Sequence, residues 1–194
     1  MKALILNGEE IDGLSLNYIS ESIKEELKAN DFKVEEILLK EKEIADCLGH
    51  FKCWVKTPGI CIIDDYGRET AAKLINSELV IFLTPVIFGS YSYQLKKALD
   101  RMIPLISPYF KRIEGEIHHR KRYSKYPSIL AVGVMERINQ VQSEIFKELV
   151  ERNSINFHSL FFEAEVLELD DDFDTKKLKN AVKEISEKIG EQND

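Results

Sequence analysis

Glu78-Leu-Val-Ile-Phe-Leu-Thr84, followed at once by Pro85-Val-Ile-Phe-Gly89, is the stretch that decides the fold class. Its first part is apolar almost throughout and lacks the alternation of a strand with one wet face, so it reads as a strand covered on both sides. Strands of that kind belong to parallel sheets wrapped by helices. Pro85 and Gly89 then punctuate the chain, and Ser92 to Ile106 reads as the helix that follows.

Moving outward, the same alternation of element types repeats. Lys2 to Asn7 is a short apolar run closed by Gly8, which reads as a buried first strand. From Ser15 to Ala29 the period changes: Leu16, Ile19, Ile23 and Leu27 recur every three or four residues, so the spacing predicts an amphipathic helix with Ser15 as its N-cap. Phe32 to Leu39 is a second strand, and an irregular stretch holding all three cysteines separates it from Glu78. Further on, Ser128 to Val134 reads as a strand, Gln140 to Glu151 as a helix, Ser159 to Leu167 as a last strand and Thr175 to Ile189 as a polar, lysine-rich helix.

Five strands alternating with helices predict an α/β flavodoxin-like sheet, parallel, in the order 2-1-3-4-5 with helices on both faces. A ligand crevice then lies beyond the carboxyl ends of the strands, at the loops after Asn7, Thr84 and Val134. Residues 1–190 are expected to form one domain, with a frayed tail at 191–194.

The formal charge of −7 excludes a nucleic-acid backbone or an anionic membrane as the main partner, since both repel an acidic surface. One basic run, His118-His119-Arg120-Lys121-Arg122, interrupts that balance and is expected as a solvated loop, with a cofactor-phosphate patch as the alternative. Apolar stretches are too short for a membrane span, no secretion signal is visible, and an odd number of cysteines suits a reducing compartment. The expected location is the cytoplasm.

Two segments carry a resemblance. Cys47-Leu-Gly-His-Phe-Lys-Cys53-Trp-Val-Lys-Thr-Pro-Gly-Ile-Cys61-Ile-Ile-Asp-Asp65 is one; Thr84-Pro-Val-Ile-Phe-Gly89-Ser-Tyr-Ser92, with Gln94-Leu-Lys-Lys97 and Asp100-Arg101, is the other. Both resemble the flavodoxin-like NAD(P)H-dependent FMN reductases, including the multimeric flavodoxin and iron-sulfur flavoprotein branches. The resemblance implies FMN at the strand ends, NAD(P)H as hydride donor, and a small acceptor or quinone that takes the electrons. It also implies a homodimer or homotetramer. Because the flavin supplies the chemistry, no catalytic acid or nucleophile is expected of the protein.

The residues expected to hold the flavin are Gly8, Gly13 and Ser15 in the first loop, Pro85, Val86, Ile87, Phe88 and Gly89 in the second, and Gly133 and Val134 near the third. Pro85 fixes the exit from the strand, Gly89 permits close backbone approach, and free backbone groups there can read the polar edge of a flat ring. Relatives commonly place Tyr where this chain has Ile87.

In the family the first loop cradles the FMN phosphate. Here it reads Asn7-Gly8-Glu9-Glu10-Ile11-Asp12-Gly13-Leu14-Ser15, with three carboxylates around a site for a doubly charged group. At ~5 Å and an effective dielectric near 20, each carboxylate opposes each phosphate charge by roughly 3 kcal/mol, against about 1 to 2 kcal/mol from a helix N-terminus. Three outcomes are open: the carboxylates face solvent, cations such as Lys96, Arg120 or Lys121 offset them, or the protein has lost FMN and acts as a flavodoxin-fold binding protein.

The spacing of Cys47, His50, Cys53 and Cys61 resembles the compact cysteine pattern of the iron-sulfur branch, with His50 in the second place. Three thiolates and an imidazole also suit zinc. The expectation is nevertheless no metal: a loop lid or subunit contact with reduced thiols, in which Trp54 serves packing.

Overall fold

The structure, a computed structural model, describes residues 1–11, 13, 15–113, 115–169 and 175–192. Its centre is a five-stranded parallel sheet of β1 (Lys2–Asn7), β2 (Lys33–Leu38), β3 (Leu79–Pro85), β6 (Ser128–Met135) and β7 (Phe162–Glu168). The order is β2-β1-β3-β6-β7, which is 2-1-3-4-5 when the strands of this sheet alone are counted. Every residue of β3 and β6 is buried, in keeping with their almost wholly apolar sequences.

Side chains alternate across the pleat and create a core on each face. On one, Ala3, Ile5, Ile81, Leu83, Leu130 and Val132 pack against α1 (Asn17–Ala29) and α6 (Thr175–Glu191). On the other, Leu4, Leu6, Val80, Phe82, Ile129 and Ala131 meet α3 (Tyr66–Ile75), α4 (Tyr93–Asp100) and α5 (Gln140–Asn156). Helices on both faces are the consequence of right-handed crossovers between parallel strands.

Four expectations need correction. Ser15 is not the cap of α1: the helix begins at Asn17, Leu16 occupies the N-cap position, and no side chain of that residue caps it. The cysteine stretch is irregular at 42–51 and 56–65, as expected, but it is interrupted by a short helix α2 (Lys52–Val55) and runs into α3, capped by Asp65. The helix expected to reach Ile106 ends at Asp100; a 3-10 turn at Ile103–Leu105 follows, then an antiparallel hairpin of β4 (Ile106–Ile113) and β5 (Glu116–Lys121). The basic run is therefore largely a strand. Its Arg120 donates to the Phe110 carbonyl at 3.0 Å and Arg122 to the Pro104 carbonyl at 2.8 Å, so both are engaged by backbone acceptors. At the other end of the chain, α6 continues through Glu191, while residues 193–194 lie outside the described ones.

The candidate flavin crevice

Three loops meet at the carboxyl ends of β1, β3 and β6, and Gly8 joins two of them. Its N–H donates to the Leu83 carbonyl at 2.7 Å, and its own carbonyl accepts from the Ser92 hydroxyl at 2.6 Å. A Cβ at Gly8 would stand 2.7 Å from Ser92 Oγ and 2.8 Å from Leu95 Cβ, so only glycine lets the first loop lie against the start of α4. Ser92 also caps α4 by accepting from Leu95 N–H, and its own N–H donates to the Thr84 hydroxyl at 2.9 Å. One serine thus fixes the first loop, the second loop and the helix together.

The second loop is a two-residue turn. Ile87 and Ser90 exchange both backbone hydrogen bonds at 2.9 Å, and Phe88 and Gly89 between them have φ of 49° and 75°, the left-handed pair of a type I′ turn. The N–H groups of Phe88 and Gly89 lie outside that pairing. Gly89 is demanded twice, by its φ and by α5, because a Cβ there would meet Ile145 Cγ2 at 2.7 Å. Phe88 is an aromatic side chain in left-handed backbone and 90% exposed, a combination that nothing in the local packing rewards. Beside it, Ile87 is also exposed. This turn therefore presents apolar surface and N–H groups without a partner among the described residues at a strand end.

Gly133 and Val134 are placed differently from the residues of the other two loops. β6 runs on to Met135, so both lie within the sheet and are buried. The Val134 carbonyl accepts from Val86 N–H at 2.9 Å, and a Cβ at Gly133 would stand 2.6 Å from Val86 Cγ2 and 2.9 Å from Phe146 Cε1. Their side-chain positions pack behind the second loop.

The first loop holds a buried carboxylate. Glu9 does not face solvent; it is 5% exposed. One carboxylate oxygen accepts from Leu16 N–H at 2.7 Å, at the amino end of α1, and the other pairs with Lys40 Nζ at 2.5 Å. Glu9 N–H donates to Asn7 Oδ1 at 3.0 Å, and Asn7 Nδ2 in turn donates to Glu36, which also receives Ser20 Oγ at 2.6 Å and Lys24 Nζ at 2.5 Å. Burial alone would raise the Glu36 pKa, and the bonds from Lys24, Ser20 and Asn7 outweigh it and hold the carboxyl below its ordinary value. Glu10 turns the other way, and its carboxylate accepts from Tyr93 N–H at 3.2 Å at the start of α4. Gly13 and Ser15 are exposed, and Asp12 lies outside the described residues.

Lys40 was not among the cations expected here, although sheet register explains its arrival. Asn7 pairs with Leu38 in the parallel β1–β2 ladder, so Glu9 and Lys40 each lie two residues past the ends of adjacent strands. Of the cations that were expected, Lys96 instead pairs with Asp100, and Arg120 and Lys121 lie in the hairpin.

The two segments that carried the family resemblance meet in space. Arg101, only 1% exposed, donates to both oxygens of Asp65 at 2.7 and 2.8 Å and to the carbonyls of Ala45 and Ile63. Asp65 also accepts from Ala45 and Gly67 N–H groups, so one ion pair ties the cysteine loop to the end of α4. Cys47, His50, Cys53 and Cys61 line one small cavity against Ile103 and Pro104. Among the described residues no group of three or more His, Cys, Asp or Glu side chains is arranged to hold a metal ion. Trp54 stacks on Phe51 and donates to the Ile103 and Ile106 carbonyls, which makes it a strut between this loop and the hairpin.

A cavity of about 910 Å³ opens at the opposite end of the sheet, among Asn76, Ser77, Glu78, Arg68, Tyr126 and His158. In an open parallel sheet of this kind the expected ligand position is instead at the carboxyl-end loops, outside the strand ends.

Residues 1–114, more than half of the chain, match the family of NADPH-dependent FMN reductases. The chain belongs to that family. Among its relatives is an iron-sulfur flavoprotein of Archaeoglobus fulgidus, 31% identical over 54% of this chain and 46% of the relative. The chain spans less than half the length of the curated relatives it matches. Two solved structures share the fold of this FMN reductase family member. An FMN-dependent NADH-azoreductase from Bacillus anthracis in complex with FMN superposes with a TM-score of 0.63 at 14% identity, covering 100% of both chains. The NAD(P)H:quinone oxidoreductase from Methanothermobacter marburgensis gives 0.66 at 11% identity, over 100% of this chain and 98% of that one.

An FMN-type ligand lying as the resemblance implies would meet two unlike ends, one for its ring and one for its phosphate. At the ring end, the turn from Ile87 to Ser90 offers an apolar face and the N–H groups of Phe88 and Gly89. At the phosphate end, Leu16 N–H and Lys40 form an anion-accepting pair, and the anion they hold is the chain's own Glu9. No helix among the described residues is long and apolar enough to cross a membrane.

Proposed function

We propose that this chain is a flavin-dependent NAD(P)H oxidoreductase of the FMN type, passing electrons to a small acceptor or quinone, in the cytoplasm and as a homodimer or homotetramer. The observation that carries this reading is the Ile87–Ser90 turn, whose exposed Phe88 is held in strained backbone beside the first loop. Strain kept at a strand-end crevice is characteristic of ligand contacts. Family membership supports the cofactor class, and the quinone oxidoreductase among the fold neighbours supports the acceptor class.

When bound, the flavin supplies hydride acceptance and onward electron transfer. The chain's part is placement. Phe88 and Ile87 would cover one edge of the ring, the N–H groups of Phe88 and Gly89 would face its polar atoms, and Ser92 holds both loops in register.

A second reading is favoured by one observation, the burial of Glu9: a flavodoxin-fold binding protein that has given up FMN. A visible absorption spectrum of the purified protein, with FMN titrated in and NADH or NADPH oxidation followed with a quinone acceptor, separates the two. Flavin bands and turnover are expected. A colourless protein that ignores added FMN would establish the second reading, and broad brown absorbance would instead place an iron-sulfur cluster at the cysteines.

A further inference from the structure

We infer that Glu9 is an internal substitute for the flavin phosphate, so that this chain binds FMN and phosphate-free riboflavin about equally. This rests on the flavin reading above and concerns which flavin the site takes.

The argument is one of occupancy. Among the described residues, an anion position at the first loop is made by Leu16 N–H at the amino end of α1 and by Lys40 Nζ. Glu9 fills it with a buried carboxylate that has both oxygens partnered, and Glu9 N–H is itself anchored to Asn7, which is held by Glu36. A phosphate arriving at that position must either displace Glu9 into the crevice, leaving a carboxylate beside it, or stop short of the two donors. Either way the phosphate gains little, because one cation and one N–H cannot serve two anions at contact distance. A ribityl chain ending in a hydroxyl meets no such conflict, since a hydroxyl donates a hydrogen bond to a carboxylate. Glu10 does not compete for this position, its carboxylate being directed at Tyr93 N–H. Discrimination between the two flavins is therefore set at Glu9, while the ring turn sets affinity common to both.

Titrations of wild-type protein and of Glu9→Gln with FMN and with riboflavin, followed by quenching of flavin fluorescence, test this. Wild type should bind both flavins within about threefold of each other, and Glu9→Gln should favour FMN by about tenfold or more, the change coming from tighter FMN binding. Glu9→Ser, which vacates the position more fully, should show the same preference, and adding Lys40→Met to Glu9→Gln should abolish it. Inorganic phosphate alone should raise the melting temperature of both Glu9 variants and leave wild type unmoved. A wild-type preference for FMN of tenfold, or a ratio that moves in neither variant, overturns the inference. If no protein binds either flavin, the flavin reading fails and the phosphate melting curves decide: a rise confined to the Glu9 variants sustains the substitute role, and equal responses refute it.

Discussion

Asp65 and Arg101 show how much of a recognisable motif is structural. The guanidinium is buried and spends four hydrogen bonds on holding the cysteine loop, two of them to one carboxylate. Removing one partner of a buried pair leaves the other uncompensated at a cost of about 3 to 5 kcal/mol, so Asp65→Asn should lower the melting temperature by roughly 10 °C. The sign of the pH effect follows from the same pair. Burial would raise the Asp65 pKa, and the bond from Arg101 outweighs it, so the folded carboxyl titrates below its ordinary 3.8. A carboxyl depressed on folding stabilises fully above its unfolded pKa and loses that contribution as pH falls through the folded one. Melting temperature should therefore decline on acidification below about pH 4 in wild type, and this part of the decline should be missing in Asp65→Asn. The turn offers a second contrast: Gly89→Ala meets both a positive φ and Ile145, and should cost about 1 to 3 kcal/mol, whereas Phe88→Gly relieves strain and should raise the melting temperature while weakening flavin binding.

At the scale of elements, the cysteine loop makes a prediction about reactivity. Cys47 is exposed, whereas the Cys53 thiol is raised by burial, and further by the nearby Cys61 and Cys47. Thiolate is the reactive form, so iodoacetamide at neutral pH should label Cys47 first and Cys53 at least about tenfold more slowly. Equal rates in a peptide-mapped time course would contradict the packing of α2. The same region shows which elements sequence discloses. β3 and β6 were legible because burial on both faces leaves no other reading for Leu79–Pro85 and Ser128–Met135. The β4–β5 hairpin was not, because its alternation is weak: Tyr109, Phe110 and Ile117 are exposed, and Trp54, distant in sequence, supports it by packing on the hairpin's own His119. Lys40 was hidden for a related reason, since only the β1–β2 register brings it to Glu9 across 31 positions.

For the whole molecule, the doubly wound sheet does one job for function: it delivers the loops after β1 and β3 to a common edge, where Gly8 and Ser92 lock them. The resulting crevice has two ends of unlike character, an open apolar turn and an anion position already filled. Flavin contact should accordingly be felt at one end and not at the other. Backbone amide chemical shifts in ¹H–¹⁵N spectra of the wild-type protein, recorded while FMN is added, examine this directly. The signals of Phe88 and Gly89 should move and saturate while that of Leu16 stays where Glu9 holds it. Unmoved Phe88 and Gly89 signals, or a Leu16 signal that shifts with them, would contradict the account.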